Sequence, residues 1–401
     1  MPKQSELIAI CAILMSSVAL SIDIMLPALG EIAEAFDLTN SNDRQLTVVV
    51  LFLGLTFGQL LFGPLSDTTG RKPMIYTGLA VFCAGTVLCV FSTSFEMLLS
   101  GRILQGFGAA GPRIVTVALI RDRFEGERMA QIMSIIMGIF IFVPILAPSL
   151  GQALLFLIPW RGLFAFVACV GLIGGVWLAL RQEETLRNKV NVSFGTYFSA
   201  TGELVRSRTA MAYSIAGALC YGALMGYINT SQQLFQDTYS LGDKYALWFG
   251  ASAAFISAAT FINAKLVATF RMESVCVAAI GILVVWCLVY GVYFQLTSFK
   301  PGLGLWMVYN CVCLFCLGLT FGNFNAIALR DFGHIAGIAA AVVAAINSAL
   351  SLVIAWLIGR AFDGTVSAMV IGYFACCSGA IALILFLDRS KPWQSRISTV
   401  R

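Results

Sequence analysis

Apolar runs of about 20 residues, the length a helix needs to cross a bilayer, alternate with short polar breaks along the whole chain. They fall near 7–29, 45–64, 74–92, 96–120, 130–153, 161–180, 210–235, 245–267, 274–296, 304–328, 335–358 and 367–387. The pattern predicts an all-α membrane protein of twelve transmembrane helices. The longest polar stretch, 181–209, follows the sixth run. It sets the expected division: a six-helix bundle over 1–180, a central linker over 181–209, and a second six-helix bundle with a polar tail over 210–401. Only Lys3 precedes the first run. That run is longer than the roughly 7–15 apolar residues of a signal peptide, so it is expected to remain as span 1.

Composition agrees with the pattern. The chain is 59% hydrophobic and 11% charged, against about 25% charged in soluble domains, and its mean hydropathy is +0.89. Of the 25 Lys and Arg residues, 18 fall on one side if the N-terminus is inside: Lys3, Arg71, Lys72, Arg121, Arg123, Arg128, Arg181, Arg187, Lys189, Arg206, Arg208, Lys265, Arg271, Arg330, Arg389, Lys391, Arg396 and Arg401. Arg44, Arg161, Lys244, Lys300 and Arg360 fall on the other, and only Arg102 and Arg113 lie within a span. Basic loops stay cytoplasmic, so both termini are expected inside. The net charge of +5 is this bias rather than a footprint for nucleic acid.

The 12 cysteines all sit in apolar runs and read as small buried hydrophobes. Cys313 and Cys316 form a C-x-x-C without a second pair, and the single histidine, His334, stands in a short polar turn beside Asp331. Neither pattern makes a metal site, and no cofactor is expected. Enzymes need a clustered nucleophile, base or metal set; none is visible, so a membrane-embedded enzyme or receptor is the weakest reading.

Three local motifs carry chemistry. "GPLSDTTGRKP", Gly63 to Pro73, lies between spans 2 and 3. Gly63 would permit close helix contact, Gly70 a tight turn, and Asp67 and Arg71 can pair across that turn, with Asp122 of "LIRD" as a third member. The alternative is a basic loop with incidental acids. "RILQGFGAAGPR", Arg102 to Arg113, carries small residues that let a neighbouring helix approach. "GIFIFVPILAPSLGQ" in span 5 holds Pro144, Pro148 and Gly151, which supply bends and close packing or, on the plainer reading, only a kink.

These motifs resemble the major facilitator superfamily, whose pattern between helices 2 and 3 is G-x-L-x-D-x-x-G-R-[KR] and in helix 4 R-x-x-Q-G-x-G-A-A. "SIDIMLPAL", "APSLG" and "EETL" are similar to the bicyclomycin-resistance type of drug:proton antiporter, as are "YINTSQQLFQDTYSL" and "FDGT" in the second half. The resemblance implies two bundles around a midplane site, a proton as coupling ion, and gating by the Asp67–Arg71–Asp122 cluster and the Pro144–Pro148–Gly151 stretch. It implies a monomer in a bacterial-type inner membrane whose partners are a small-molecule substrate, protons and lipid. One departure concerns substrate: Val117 stands where that type commonly has an arginine, and Arg113 lies one turn earlier.

A charge at bilayer depth costs at least ~2.5–3.5 kcal/mol, so Asp23, in the middle of span 1, needs a reason. Asp23 and Arg102 each lie about six residues from the outer end of their spans, roughly 9 Å deep at 1.5 Å per residue. Equal depth makes an Asp23–Arg102 interaction reasonable, either as a static ion pair or as a proton-coupling pair that also meets substrate. Arg113 follows 11 residues later, within about 20° of the same helical face and about 16 Å deeper. It would face the cavity and grip anionic cargo, or snorkel. Asn229, Gln232, Gln233, Asn323 and Asn325 would line the cavity from the second half, or serve as helix–helix glue. The leading expectation is a proton-coupled multidrug exporter; the alternative is an exporter of an anionic endogenous metabolite or siderophore.

Overall fold

A computed structural model of the chain describes residues 4–124, 126–186, 194–296 and 300–389. Lys3, Arg187, Lys189, Lys391, Arg396 and Arg401 lie outside the described residues, as does the side chain of His334. All regular structure among the described residues is helical.

The helices follow the apolar runs. They are α1 Gln4–Asp23, α2 Leu29–Ala35, α3 Leu46–Thr69, α4 Arg71–Val90, α5 Phe95–Arg123, α6 Gly126–Leu155 and α7 Trp160–Arg181. Then come α8 Phe194–Arg206, α9 Arg208–Gln232, α10 Tyr245–Thr269, α11 Met272–Leu296, α12 Leu303–Gly318, α13 Phe321–Leu329, α14 Ala336–Arg360 and α15 Ser367–Arg389. Eleven spans among the described residues are long and apolar enough to cross a membrane; the twelfth is α6, a 30-residue helix whose Phe142–Leu155 stretch is apolar.

Three spans are not the single rods the hydropathy suggests. Span 1 is α1 plus α2, joined by a tight 3₁₀ turn over Leu26–Ala28. Span 7 is α9 continued by a π-helical turn, Gln233–Thr238. Span 10 is α12 plus α13, interrupted at Leu319 and Thr320. The polar stretch after span 6 contains α8, whose Ala200 and Leu204 are buried while Val205 is exposed.

Contacts divide the chain into two compact units. One is Met1–Tyr197 with Ile228–Ala254; the other is Phe198–Tyr227 with Phe255–Arg401. Ile228–Ala254 groups with the first six spans because its residues are tied to the turn before α3. Arg44 pairs with Asp237, and Gln45 with Gln233. In the first unit α3, α4 and α5 pack at the closest distances. A methyl group at Gly54 would lie 1.9 Å from the Ile103 carbonyl, and one at Gly106 1.9 Å from that of Leu51. Ser94 caps the start of α5 by accepting from the Met97 N–H at 3.2 Å. In the second unit Trp286, Tyr290, Phe294, Trp306, Tyr309 and Tyr373 form a continuous aromatic cluster.

Candidate functional site

The helix break in span 1 has a local cause. Pro27 has no N–H, so the carbonyl of Asp23, four residues earlier, loses its α-helical donor. The Ala28 N–H then bonds to Met25 O at 3.0 Å, an i→i+3 turn. α1 therefore ends at Asp23, and its carboxyl stands at the rupture. Asp23 is 3% exposed and is the only buried Asp or Glu among the described residues; its Oδ1 has no hydrogen-bond partner. Gly151 of α6 closes on the same turn: a methyl there would lie 2.2 Å from Ile24 O.

Arg102 on α5 is fully buried, yet no ion pair joins it to Asp23 among the described residues. Arg102 reaches α1 at Ser21, two residues before Asp23, but its guanidinium finds neutral acceptors there. Nε donates to Thr47 O at 2.8 Å; Nη1 donates to Ser21 O at 2.9 Å and to Gln105 Oε1 at 2.7 Å. Nη2 has no partner, and the Phe164 ring lies 5.6 Å from Cζ. Gln105 passes the network on, donating to Thr86 Oγ1 at 2.9 Å. One side chain thus ties α1, α3 and α5 two residues from Asp23.

At the other end of these helices, Arg71 is the centre of a second network. Its Nη1 donates to Asp67 Oδ1 at 2.5 Å and to Ser66 Oγ at 2.7 Å, and Nε donates to Asp122 Oδ2 at 2.7 Å. A partner not foreseen from the sequence is Glu184, in "EETL". Its carboxylate accepts from the backbone N–H of Arg71 and of Lys72, both at 3.0 Å, capping α4. Gly70, at φ +124°, is required there, since a methyl would meet Glu184 Oε2 at 2.8 Å. Gly63 makes no such approach: a methyl would meet Ile114 Cγ2 at an ordinary 3.6 Å. The close contact expected of it belongs to Gly54 and Gly106.

The remaining candidates scatter. Pro144 and Pro148 lie within the continuous helix α6. Arg113 is half-buried and makes no hydrogen bond or ion pair among the described residues. Asn229 and Gln232 are buried, with Oδ1 and Oε1 unpartnered. Gln233 is spent on the turn before α3: it bonds Gln45, and its Nε2 donates to Asn42 Oδ1 at 2.9 Å and Ser41 O at 3.1 Å. In the second unit Asn323 exchanges hydrogen bonds with Asn263 at 2.9 and 3.1 Å, which is helix–helix glue. Asn325 is exposed and accepts from Asn347 Nδ2 at 3.4 Å. Arg44, Asp237 and Glu184 pair across long chain separations, so spacing could not reveal them. Pro27, four residues after Asp23, was the available signal for the break.

Spans this numerous and apolar, with one buried carboxyl in the first unit, define a polytopic membrane protein. The chain belongs to the Major Facilitator Superfamily, whose family model matches residues 11–354. It is 28% identical over 392 residues to the multidrug resistance protein MdtL of Salmonella schwarzengrund, covering 94% of this chain and 95% of that one. It is 25% identical over 381 residues to a bicyclomycin resistance protein homolog of Haemophilus influenzae, covering 94% of each. Its fold is similar to that of a D-xylose-proton symporter, with a TM-score of 0.75 at 12% identity over 96% of this chain and 97% of the other. It is a multi-pass membrane transporter of small molecules, not an enzyme.

Proposed function

We propose that the chain is a proton-coupled antiporter exporting small amphipathic molecules across a bacterial-type inner membrane, as a monomer with both termini cytoplasmic. The observation that carries this is Asp23: the one buried acid of the described residues stands at a broken helix with a free oxygen. A carboxyl without a permanent ion pair can exchange its proton against a substrate. Arg102 would hold the break in shape, and the hinge at Ile24–Ala28 would let α2 move relative to α1. The names of the relatives, multidrug resistance and bicyclomycin resistance, support the cargo class. The Arg71–Asp67–Asp122 network, with Glu184, would latch the cytoplasmic face, and Pro144, Pro148 and Gly151 would let α6 follow the turn.

Arg113 favours a second reading, export of an anionic metabolite or siderophore, because a half-buried guanidinium without a partner suits a carboxylate. Both readings are tested in proteoliposomes with an imposed pH gradient and a panel of cationic, neutral and anionic candidates. Asp23→Asn should abolish gradient-driven transport with insertion intact, and Asp23→Glu should retain part of it. Undiminished coupling in Asp23→Asn refutes the assignment. Selective loss of anion transport in Arg113→Gln would favour the second reading.

A further inference from the structure

Thr86 on α4 is a buried hydroxyl, 4% exposed, to which the export reading gives no task. The glycine before it brings it within reach of α5. A methyl at Gly85 would lie 2.4 Å from the Gln105 backbone nitrogen and 2.7 Å from Gly101 O, so the two backbones close this far only because a glycine stands there. Thr86 then meets the Gln105 side chain, which is fully buried.

Donors and acceptors at this contact have one consistent order. The Thr86 hydroxyl has a single proton, which it gives to Phe82 O at 2.9 Å. Its oxygen accepts from Gln105 Nε2 at 2.9 Å. The amide is thereby turned with Oε1 toward Arg102, where it accepts from Nη1 at 2.7 Å. A guanidinium has no acceptor, so a reversed amide would set donor against donor. The second Nη1 proton goes to Ser21 O, and Nε is bonded to Thr47 O, which leaves only Nη2 unpartnered. Two residues beyond Ser21, Asp23 Oδ1 is unpartnered as well. Other charged groups on the helices packed against α1 stand elsewhere. Arg128 bonds Gln4, Arg161 donates to Ser92 O and Arg181 pairs with Glu6, each at a helix end. Arg113 lies eleven residues further along α5, whose remaining charges are at its two ends.

We infer that Thr86 is a positioning residue for the proton-exchange site: through Gln105 it commits both Nη1 protons of Arg102 to neutral acceptors and so keeps the guanidinium off the Asp23 carboxyl. The inference rests on the reading of Asp23 as the exchangeable group. Without the Thr86 oxygen, the Gln105 amide loses the acceptor that holds it, and Arg102 regains a free Nη1 donor. The guanidinium can then turn to the unpartnered carboxyl on the helix it already grips, and a positive charge there favours the ionised form.

The test is an infrared titration of the full-length protein in liposomes, without cargo or a pH gradient. A protonated carboxyl has a carbonyl stretch distinct from that of carboxylates, and the Asp23 band is assigned by its loss in Asp23→Asn. In Thr86→Val, which keeps the side-chain shape but not the hydroxyl, the band should disappear at least about one pH unit lower than in wild type. Thr86→Ser keeps the hydroxyl and should titrate as wild type. A purely structural role would lower the unfolding midpoint and leave the titration in place, so an unchanged titration in folded Thr86→Val overturns the proposal. If that variant does not fold, Gln105→Met decides by the same shift or its absence. Failure of the export reading looks different: transport that ignores an imposed pH gradient, although the Asp23 band still moves in Thr86→Val.

Discussion

Glu184 offers the most direct check of the Arg71 network, because its contribution is confined to a few atoms. Glu184→Ala removes the acceptors of the Arg71 and Lys72 N–H groups and opens the N-terminus of α4. Losing a side-chain cap costs about 0.5–2 kcal/mol; the full strength of two charge-assisted bonds does not apply, since Glu184 is exposed and screened by solvent. At roughly 1.4 kcal/mol per factor of ten, protection of the first-turn amides of α4 should fall about 2- to 30-fold. Hydrogen exchange read by mass spectrometry on a peptide beginning at Gly70 measures this, with a peptide from α11 as the unaffected reference. Glu184→Gln, keeping one acceptor oxygen, should restore part of the loss.

The same cap predicts a pH dependence. Burial on its own raises the Glu184 carboxyl, but the N–H groups of Leu186, Arg71, Lys72 and Thr185 outweigh it and hold the group below the usual 4.5. A carboxylate depressed in the folded state contributes stability that is complete above its unfolded value and disappears as pH falls through the folded one. Protection in the wild type should therefore be flat above about pH 4.5 and decline below it, while Glu184→Ala shows no such step. Equal protection in wild type and variant at neutral pH refutes the capping role.

Further predictions concern the scaffold and the latch. Arg102→Lys keeps a charge but cannot reach Thr47 O, Ser21 O and Gln105 Oε1 together, so the unfolding midpoint in detergent should fall by several degrees; an unchanged midpoint would remove Arg102 from the scaffold. Gly106→Ala drives a methyl into the Leu51 backbone and should cost at least ~1–3 kcal/mol by overpacking, read as reduced thermal stability, whereas Gly63→Ala should cost little. Asp67→Asn or Arg71→Ala should slow turnover more than it weakens substrate affinity; normal turnover with weakened affinity would contradict a latch.

Legibility in the sequence followed chain distance. The twelve spans were readable because roughly 20 apolar residues are a local requirement of the bilayer. Asp67 and Arg71 were readable as a pair because they stand four residues apart beside a glycine. Arg44 and Asp237, 193 residues apart, carry no such mark, and neither does the pairing of Glu184 with the start of α4. Hydropathy averages over a span, so it passed across the break in span 1, where the cause is one missing N–H at Pro27. It also passed across Leu319–Thr320 in span 10, where no proline marks the interruption. Asn323 was legible as a polar residue in a span, but its choice of Asn263 over a cavity depends on a neighbour 60 residues away.

Asp23 and Arg102 show the same distinction inside the site. Depth along two helices follows from residue count, so their proximity could be read; the partner each selects could not. A guanidinium offers five N–H groups and accepts any oxygen presented in its plane, and the backbone presented two, from Ser21 and Thr47, before the carboxyl. Had Arg102 taken the carboxyl instead, Asp23 would be locked in a buried ion pair whose rupture costs several kcal/mol, too much to open in every cycle. With Arg102 occupied by neutral acceptors, the scaffold and the exchangeable group are different residues, so on the proposed mechanism the proton can come and go without unfastening α1 from α5.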